Sequence, residues 1–581
     1  MQLPPVLRTG LIAVPLLLSA PATATASGTI VPARPEQALG SYLAGTVAGH
    51  LGDNGIAADR MLDALAHDPG EPALLQPAFL FSTLAGRQQA SLLAAHAEPG
   101  LLSELVLAND AASRGDWAAA ARGFAGLPAS PLNDIVRPLL LSWAQAGMGQ
   151  TDLALQTLAG VGSSSPLAGA CALQAGTIAE LAGRTAVASN LYRTAEAMFG
   201  GGSLAAVQVL GSFLARHGQD AEARGMVHAL VQQIGVLGMV EPGLAASLDR
   251  PVVADPRQGL ARAYLSIASM LQQQDPSAKE AVAFMLRFAL DLQPDLVPAR
   301  LMMAEQLAPL HPDAALAALA GVPATDPLFP LVRLRTATLL AADGQRDEAR
   351  RRLEALVQAN PQRPEPAQSL GELLSDLKLY PQAIIAYDKA IADRERLSGG
   401  ALAGNDWQLL FSRAVAFDRQ NQWPQAQADL EHALALSPGE PFVLNYLGYS
   451  LVERHGDLAK ARLLIQRALD GKPDDGSIRD SLGWAMLRQN DVPAAVRTLE
   501  RAAEQMPEDP TVNYHLGTAY WAAGRHVEAE DQWRWALVLK PEPEDVARIR
   551  DSLRRAGVTP PADPSAPAPG PASTPVPPPS R

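Results

Sequence analysis

The last third of the chain repeats a pattern of small and apolar residues at a fixed interval of 34 positions. The register is visible in two pairs: Gly483 and Gly517 stand one interval apart, and so do Pro507 and Pro541. A constant interval of this length is typical of stacked supersecondary units, each of which packs mainly on its neighbours. The repeat therefore predicts an elongated array for this part of the chain and excludes a single globular core.

One unit, residues 510–543, shows what the repeat encodes. Apolar and small residues fall at spacings of three and four on both sides of Gly524, so each side should form a helix with one packing face. Gly517 and Ala529 stand where the two helices should cross, and a large side chain there would separate them. Pro541 should end the second helix because it has no backbone N–H to continue the ladder.

This pattern resembles that of the tetratricopeptide repeat (TPR). The runs 442–449, 480–484 and 514–521 are similar to those of a family of exported bacterial TPR proteins, and more distantly to the TPR lipoprotein adaptors of a periplasmic carboxyl-terminal processing protease. The resemblance implies an all-α fold, an α-solenoid of helix-turn-helix repeats that forms a right-handed superhelix. The chain departs from the lipoprotein adaptors because it lacks their lipidation cysteine.

The same register, with breaks, predicts the organisation of the whole chain. We expect a signal peptide (1–26), a degenerate N-terminal array (38–237), an interrupting loop (238–258), a C-terminal array (259–543), a capping helix (544–557) and a disordered proline-rich tail (558–581). The clearest repeats of the C-terminal array are predicted at 330–363, 364–397, 407–440, 441–475, 476–509 and 510–543. The capping helix should cover the apolar end of the array, as terminal units of repeat proteins do.

The N-terminus has the pattern of a secretory signal peptide. Arg8 gives a positive start, residues 11–20 are mostly apolar, and Ala-Thr-Ala at 22–24 or at 24–26 resembles a cleavage site. The apolar stretch is shorter than a membrane span requires. We therefore expect a periplasmic protein with no lipid anchor and no integral membrane span in the mature chain; an uncleaved interfacial anchor or a misassigned start is the alternative.

Composition and motifs argue against several classes of function. The formal net charge of −13 does not suit a nucleic-acid scaffold, which needs a basic surface. The single cysteine, Cys171, excludes an internal disulfide and a cysteine-based zinc site. No His-Glu-x-x-His motif is present, and the Gly-x-Gly at 160–162 falls between helices instead of after a strand. We expect a protein that is not an enzyme and uses no cofactor or metal.

The first helices of the units should line the concave face of the array, and their non-packing positions should carry its function. In the last units these positions are rich in aromatic residues with polar groups, which suit peptide-binding grooves. The residues predicted to bind a partner are Phe411, Asn445, Tyr446, Tyr449, Trp484, Arg488, Tyr514, His515 and Trp521. The alternative for each is packing against the adjacent first helix. The charged clamp of the chaperone-tail binders is absent, since its positions hold Phe411, Val415, Ser477 and Ser481.

Two functions from different classes fit these features. The first is a scaffold or adaptor that mediates protein–protein interactions in the cell envelope; the resemblance implies presentation of substrates to a periplasmic protease. The second is a peptidoglycan-binding or glycan-binding envelope protein that uses the aromatic groove. In the first case we expect protein partners of unknown identity, with a periplasmic protease as one candidate and self-association left open.

Overall fold

The computed structural model describes residues 35–69 and 71–560. These ranges contain helices and their connections, without strands, which confirms the predicted all-α class. The predicted signal peptide and the tail beyond residue 560 lie outside the described residues. Within the described ranges, no helix combines the length and the apolar character that crossing a membrane requires.

The helices follow one another in short hairpins. In the first part of the chain they are α1 (Pro35–His50), α2 (Asn54–His67), α3 (Pro72–Leu84), α4 (Ala90–Ala94), α5 (Leu101–Ser113), α6 (Trp117–Ala125), α7 (Pro131–Gly147), α8 (Thr151–Ala159), α9 (Ala168–Leu181), α10 (Thr185–Phe199), α11 (Leu204–Arg216), α12 (Asp220–Gln233), α13 (Glu241–Ala246), α14 (Pro256–Gln274) and α15 (Lys279–Leu292). In the second part they are α16 (Val297–Leu307), α17 (Pro312–Leu319), α18 (Phe329–Ala342), α19 (Arg346–Ala359), α20 (Pro364–Asp376), α21 (Tyr380–Leu397), α22 (Trp407–Arg419), α23 (Trp423–Leu436), α24 (Pro441–Glu453), α25 (Leu458–Gly471), α26 (Gly476–Arg488), α27 (Val492–Gln505), α28 (Pro510–Ala522), α29 (His526–Val538) and α30 (Pro543–Arg555).

Aspartates begin several of the helices in the repeats. The Asp475 side chain accepts hydrogen bonds from two backbone N–H groups at the start of α26, at 3.1 Å each. Asp509 does the same for α28, at 2.8 and 3.0 Å. These carboxylates satisfy backbone donors that have no partner inside the helix, and their charge suits the positive end of the helix dipole. Local sequence therefore fixes where these first helices start.

The turn inside each hairpin requires a residue with left-handed backbone. Gly524 fills this position between α28 and α29, with φ 79°. The equivalent turns use Asn490 (φ 64°) and Asn421 (φ 57°), and asparagine is among the few non-glycine residues that tolerate this region. The glycine break read from the sequence is thus one solution to a backbone requirement that other units meet with asparagine, with Lys378 or with His455.

Small residues stand where the two helices of a hairpin cross. A Cβ built on Gly483 would lie 2.6 Å from Leu499 Cγ, and one on Gly517 would lie 2.7 Å from Trp533 Cδ1. Ala529 is fully buried in the same hairpin. These close approaches give the steric reason why small residues recur at this position in successive repeats of the chain.

The described chain forms two compact units that do not coincide with the predicted arrays. One unit contains the described residues up to Met198 together with Val253–His311. The other contains Phe199–Val252 together with the chain from Pro312 onward. The segment 238–258, predicted as an interrupting loop, includes the short helix α13, and Glu241 of that helix accepts a hydrogen bond from Arg363 at 3.1 Å. This contact ties the segment to the second unit.

In the first unit, the hairpin α14–α15 packs on the first helices of the preceding hairpins. Helix α14 contacts α7 and α9, and α15 contacts α3 and α5. The fit is close: Trp143 of α7 is fully buried, and a Cβ on Gly259 of α14 would lie 2.1 Å from Trp143 Cη2. The chain itself therefore covers the face that these first helices share.

Candidate partner-binding face

The residues predicted to bind a partner lie on first helices of successive hairpins in the second unit. We call this set the inner face: Phe411 on α22; Asn445, Tyr446 and Tyr449 on α24; Trp484 and Arg488 on α26; and Tyr514, His515 and Trp521 on α28. Neighbouring first helices contact each other directly, as α24 does with α26 and α26 with α28. The repeat geometry thus brings together residues that are about one unit apart in sequence.

Phe411 and Tyr446 form the contact between α22 and α24. Their ring centroids are 5.5 Å apart with an interplanar angle of 86°, an edge-to-face arrangement. The Tyr446 hydroxyl donates to Asp418 Oδ2 at 2.9 Å. Burial, followed by the negative charge of Asp418, raises the pKa of Tyr446, and the positive charges of Arg419 and Arg454 oppose the rise. The hydroxyl is therefore a neutral hydrogen-bond donor at physiological pH.

His515 of α28 is the inner-face residue that is fully buried, with 0% of its surface exposed. Its ring stacks on Trp484 with centroids 4.1 Å apart and an interplanar angle of 15°. His515 Nδ1 is 2.8 Å from Asp480 Oδ2, and the same pair leaves His515 Nε2 and Asp480 Oδ1 buried without a hydrogen-bond partner among the described residues. The hydrogen bond and the stacking contact fix the orientation of the imidazole between α26 and α28.

Charged residues surround this aromatic cluster. Trp484 Nε1 donates to Glu453 Oε1 at 2.7 Å. Burial, then the charges of Glu453 and Asp480, raise the pKa of Tyr449 above its usual range. The guanidinium carbon of Arg548, from α30, lies 4.9 Å from the ring centroid of Tyr514. Sequence reasoning missed the role of Arg548, because its contact joins a terminal helix to earlier hairpins and follows no periodicity.

The inner face divides into buried and accessible members. Trp484, Tyr514 and His515 are buried, with 5%, 7% and 0% of their surface exposed. Partly exposed members are Phe411, Asn445, Tyr446, Tyr449, Arg488 and Trp521. Of these, Trp521 stacks on His526 at 4.1 Å and Arg488 Nη2 lies 2.7 Å from His455 Nδ1. The role of all these residues in partner binding stays a prediction, and only the partly exposed ones are directly accessible to a partner.

Asn445 is the partly exposed inner-face residue with an unpaired polar atom. Its Oδ1 is buried and has no hydrogen-bond partner among the described residues, although the residue as a whole is partly exposed. A buried acceptor without a partner is costly, and a donor brought by a ligand would remove that cost. Since this oxygen is buried, the Asn445 side chain would have to turn outward to accept a hydrogen bond from a bound segment.

A metal site requires a group of ligand side chains, and a reactive thiol requires a lowered pKa. In the ranges 35–69 and 71–560, no three His, Cys, Asp or Glu side chains are grouped as metal ligands. Cys171 is buried, and burial raises its pKa to about 12, so its thiol is protonated at neutral pH and a poor nucleophile.

Comparisons with known proteins agree with the hairpin geometry. A family model described as tetratricopeptide repeat matches residues 334–398, 411–476 and 481–534. A TPR repeat-containing protein of Pseudomonas aeruginosa is 33% identical over 189 residues, which cover 32% of this chain and 30% of that protein. The interferon-induced protein with tetratricopeptide repeats 2 of Mus musculus is 30% identical over 119 residues, 20% of this chain and 25% of that protein. The chain thus matches less than a third of the length of these relatives.

Similarity to solved structures is weaker. The alignment with a chain from the crystal structure of an APC/C hetero-tetramer covers 90% of this chain and 96% of that chain. The TM-score is 0.37 and the sequence identity is 14%. The alignment with a tetratricopeptide repeat protein from Parabacteroides merdae covers 43% of this chain and 96% of that protein's chain. The TM-score is 0.35 and the sequence identity is 12%. The family match and the hairpins at the same positions show that the helical hairpins within residues 334–534 are tetratricopeptide repeats, as the 34-residue pattern predicts.

Proposed function

We propose that this protein is a non-enzymatic scaffold that binds protein partners on the inner face of its C-terminal hairpins. One observation carries the proposal: Phe411, Asn445 and Tyr449 stand partly exposed on adjacent first helices. Stacked repeats of this kind form extended binding surfaces. In the first unit the corresponding face is covered by α14 and α15, which leaves the C-terminal hairpins as the accessible surface.

We further propose that the protein acts in the periplasm and presents substrates to a periplasmic protease. The support is the signal-like sequence at residues 1–26 and the resemblance of the runs 442–449, 480–484 and 514–521 to exported TPR proteins. Fractionation of cells that produce the full chain tests the location, since recovery of the protein only in the cytoplasm contradicts it. Degradation of a captured substrate by the co-purified protease tests the adaptor role.

A capture experiment tests the inner face. The triple variant Phe411→Ala/Tyr449→Ala/Trp521→Ala removes accessible aromatic surface without touching the buried Trp484. Immobilised full-length protein is incubated with periplasmic extract, and the proteins that the wild type retains are quantified by mass spectrometry. We expect the triple variant to retain at least about tenfold less of each specific partner than the wild type does, because aromatic anchors dominate binding at such surfaces.

The matched control carries the same number of substitutions on the other side of the hairpins. Ile385, Val527 and Trp535 lie on second helices and are 69%, 72% and 46% exposed. The variant Ile385→Ala/Val527→Ala/Trp535→Ala should retain the partners of the wild type, and both variants should keep the wild-type helical signal in circular dichroism. Equal capture by the wild type and the inner-face variant would reject the proposal.

Sedimentation with purified, protein-free peptidoglycan distinguishes glycan binding by the same aromatic residues from binding of a protein partner. A protein adaptor stays in the supernatant. Co-sedimentation of the wild type that the inner-face variant loses would assign the surface to a glycan instead.

A further inference from the structure

The start of α30 contacts hairpins that lie much earlier in the chain. Lys378, in the turn after α20, has its Nζ 3.7 Å from Glu542 Oε2. Arg419, the last residue of α22, has its Nη1 3.9 Å from Glu544 Oε1. The two carboxylates at the start of the C-terminal helix therefore face the ends of two earlier first helices, α20 and α22.

The same helix covers part of the inner face. Arg548 Nη1 lies 3.6 Å from Glu453 Oε2, and the Arg548 guanidinium lies over the Tyr514 ring. The Tyr514 hydroxyl is 3.5 Å from Ser552 Oγ. Helix α30 thus extends from the last hairpin across Tyr514 and Glu453 toward Arg419 and Lys378, so the chain's own C-terminal helix occupies space that a ligand of the inner face would use.

The two ends of α30 are attached by different interactions. Ile549 and Leu553 are 1% and 0% exposed and belong to the apolar core of the last hairpin. At the other end, the side chains of the Lys378–Glu542 pair are 73% and 68% exposed, and those of the Arg419–Glu544 pair are 57% and 79% exposed. Ion pairs with this exposure contribute little to stability and are screened by salt. The acidic start of the helix can therefore be exchanged while the apolar end stays packed.

The other basic residues along these helix ends have intramolecular partners of a different kind. The Arg454 guanidinium pairs with Asp418 and lies 4.5 Å from the Trp423 ring centroid. Lys378 and Arg419, in contrast, have as ion-pair partners in the described chain only the exposed Glu542 and Glu544. We propose that Lys378 and Arg419, which we call the cationic pair, bind carboxylates of an acidic segment of a partner protein, and that Glu542 and Glu544 hold this place in the unbound chain.

This inference rests on the proposed scaffold function and specifies the chemistry of the partner. Because Glu542 and Glu544 are tethered, their effective concentration is high, so even weak ion pairs should compete with carboxylates that come from another molecule. Neutralising them should open the cationic pair to an external acidic segment. The direction of the effect is distinctive, because the variant gains binding instead of losing it.

The probe is a fluorescein-labelled octaglutamate peptide, and its binding to the full chain is followed by fluorescence anisotropy at low ionic strength. We expect the variant Glu542→Gln/Glu544→Gln to bind the probe about three- to tenfold more tightly than the wild type, which is the range that two exposed ion pairs can supply. Adding Lys378→Gln/Arg419→Gln to that variant should return the affinity to the wild-type value. Salt should weaken the gained binding, because the interaction is between exposed charges.

A control variant separates local exchange from the change in net charge. Glu431 and Asp491 accept exposed ion pairs from Lys460 and Arg462, at 3.5 and 3.3 Å, away from α30. The variant Glu431→Gln/Asp491→Asn removes the same number of negative charges and should bind the probe like the wild type. An equal gain in this control, no gain in Glu542→Gln/Glu544→Gln, or a gain that survives loss of the cationic pair would each overturn the inference.

The capture experiment distinguishes failure of this inference from failure of the scaffold function. If the wild type captures partners and Lys378→Gln/Arg419→Gln captures them equally well, the cationic pair is not their binding point but the scaffold function stands. If no version of the chain captures a partner, the scaffold function fails, whatever the probe does.

Discussion

At the scale of single residues, steric limits and buried charge decide most of what the repeats tolerate. Gly483 stands so close to Leu499 that any side chain would displace a buried neighbour. Glu365 of α20 is a buried carboxyl whose Oε1 lies 3.7 Å from Arg394 Nη2. Burial raises its pKa, and the charges of Arg394 and Arg363 only partly oppose the rise. Both residues allow quantitative tests.

Replacing Gly483 by leucine should destabilise the C-terminal array by about 1–3 kcal/mol, the usual cost of inserting a side chain into a packed crossing. The expected readout is a lower urea midpoint in circular dichroism. Gly439→Ala is the control, because a Cβ at Gly439 meets nothing within 4 Å and should leave the midpoint unchanged. A leucine variant as stable as the control would contradict the crossing assigned to Gly483.

Glu365 should make stability depend on pH. A carboxyl whose folded pKa is raised binds its proton more tightly in the folded state. Its contribution is therefore fully present below the ordinary carboxyl pKa of 4.5 and is lost as pH rises through the folded value. The variant Glu365→Gln has no such loss.

The measurement compares the urea midpoints of Glu365→Gln and the wild type from pH 5 to pH 8. Relative to the wild type, the variant should gain stability as pH rises over this range. A difference between the two proteins that stays constant with pH would show that the Glu365 carboxyl is ionised throughout and stabilised by Arg394.

At the scale of elements, a helix in this protein is stable only through the helices beside it. The helix α30 has arginines and acids over most of its surface and buries Ile549 and Leu553 against the last hairpin. An array that ended at α29 would expose the apolar residues of α28 and α29 that these two side chains cover. The helix therefore has a structural role at one end, independent of the exchange proposed at the other.

The variant Ile549→Ala/Leu553→Ala should destabilise the end of the array by several kcal/mol, since each buried aliphatic truncation costs about 2–5 kcal/mol. Hydrogen exchange should become faster in α28 and α29 and remain slow in α20 and α21. The exposed Arg555→Ala serves as the control and should exchange like the wild type. Uniform acceleration across all hairpins would contradict a local capping role.

At the scale of the whole molecule, the described chain contains two units. In the first unit, the hairpin α14–α15 packs against the face that the earlier first helices share. Trp143 of α7, Tyr264 of α14 and Phe288 of α15 are all buried in this region, and the rings of Tyr264 and Phe288 are 5.3 Å apart. The first unit is thus completed by Val253–His311, which is separated from the rest of that unit in sequence by Phe199–Val252 of the second unit.

The variant Gly259→Leu should disturb the first unit without affecting the second, because the new side chain collides with Trp143. Hydrogen exchange should accelerate in α5, α7 and α9 while α24, α26 and α28 keep their wild-type protection. Gly225→Leu, placed where a Cβ meets nothing within 4 Å, is the control. Equal acceleration in both units would show that they unfold together.

The candidate site was predictable only in part, and particular residues show why. The repeat register places Phe411, Tyr446, Trp484 and His515 on first helices, because helical spacing is a local property of the sequence. Their exposure is not local: His515 is buried between Trp484 and Asp480, while Phe411 stays partly accessible. Burial depends on which helices lie beside each residue.

By itself, the sequence determined the helical hairpins, their start at capping aspartates and their crossings at small residues, because spacing, capping and steric exclusion act over a few positions or one repeat. Only the tertiary structure decided that α14 and α15 cover the face of the first unit and that α30 reaches Lys378 and Arg419. These contacts join residues far apart in the chain, and their energy comes from surface burial and charge pairing that leave no periodic trace in the sequence.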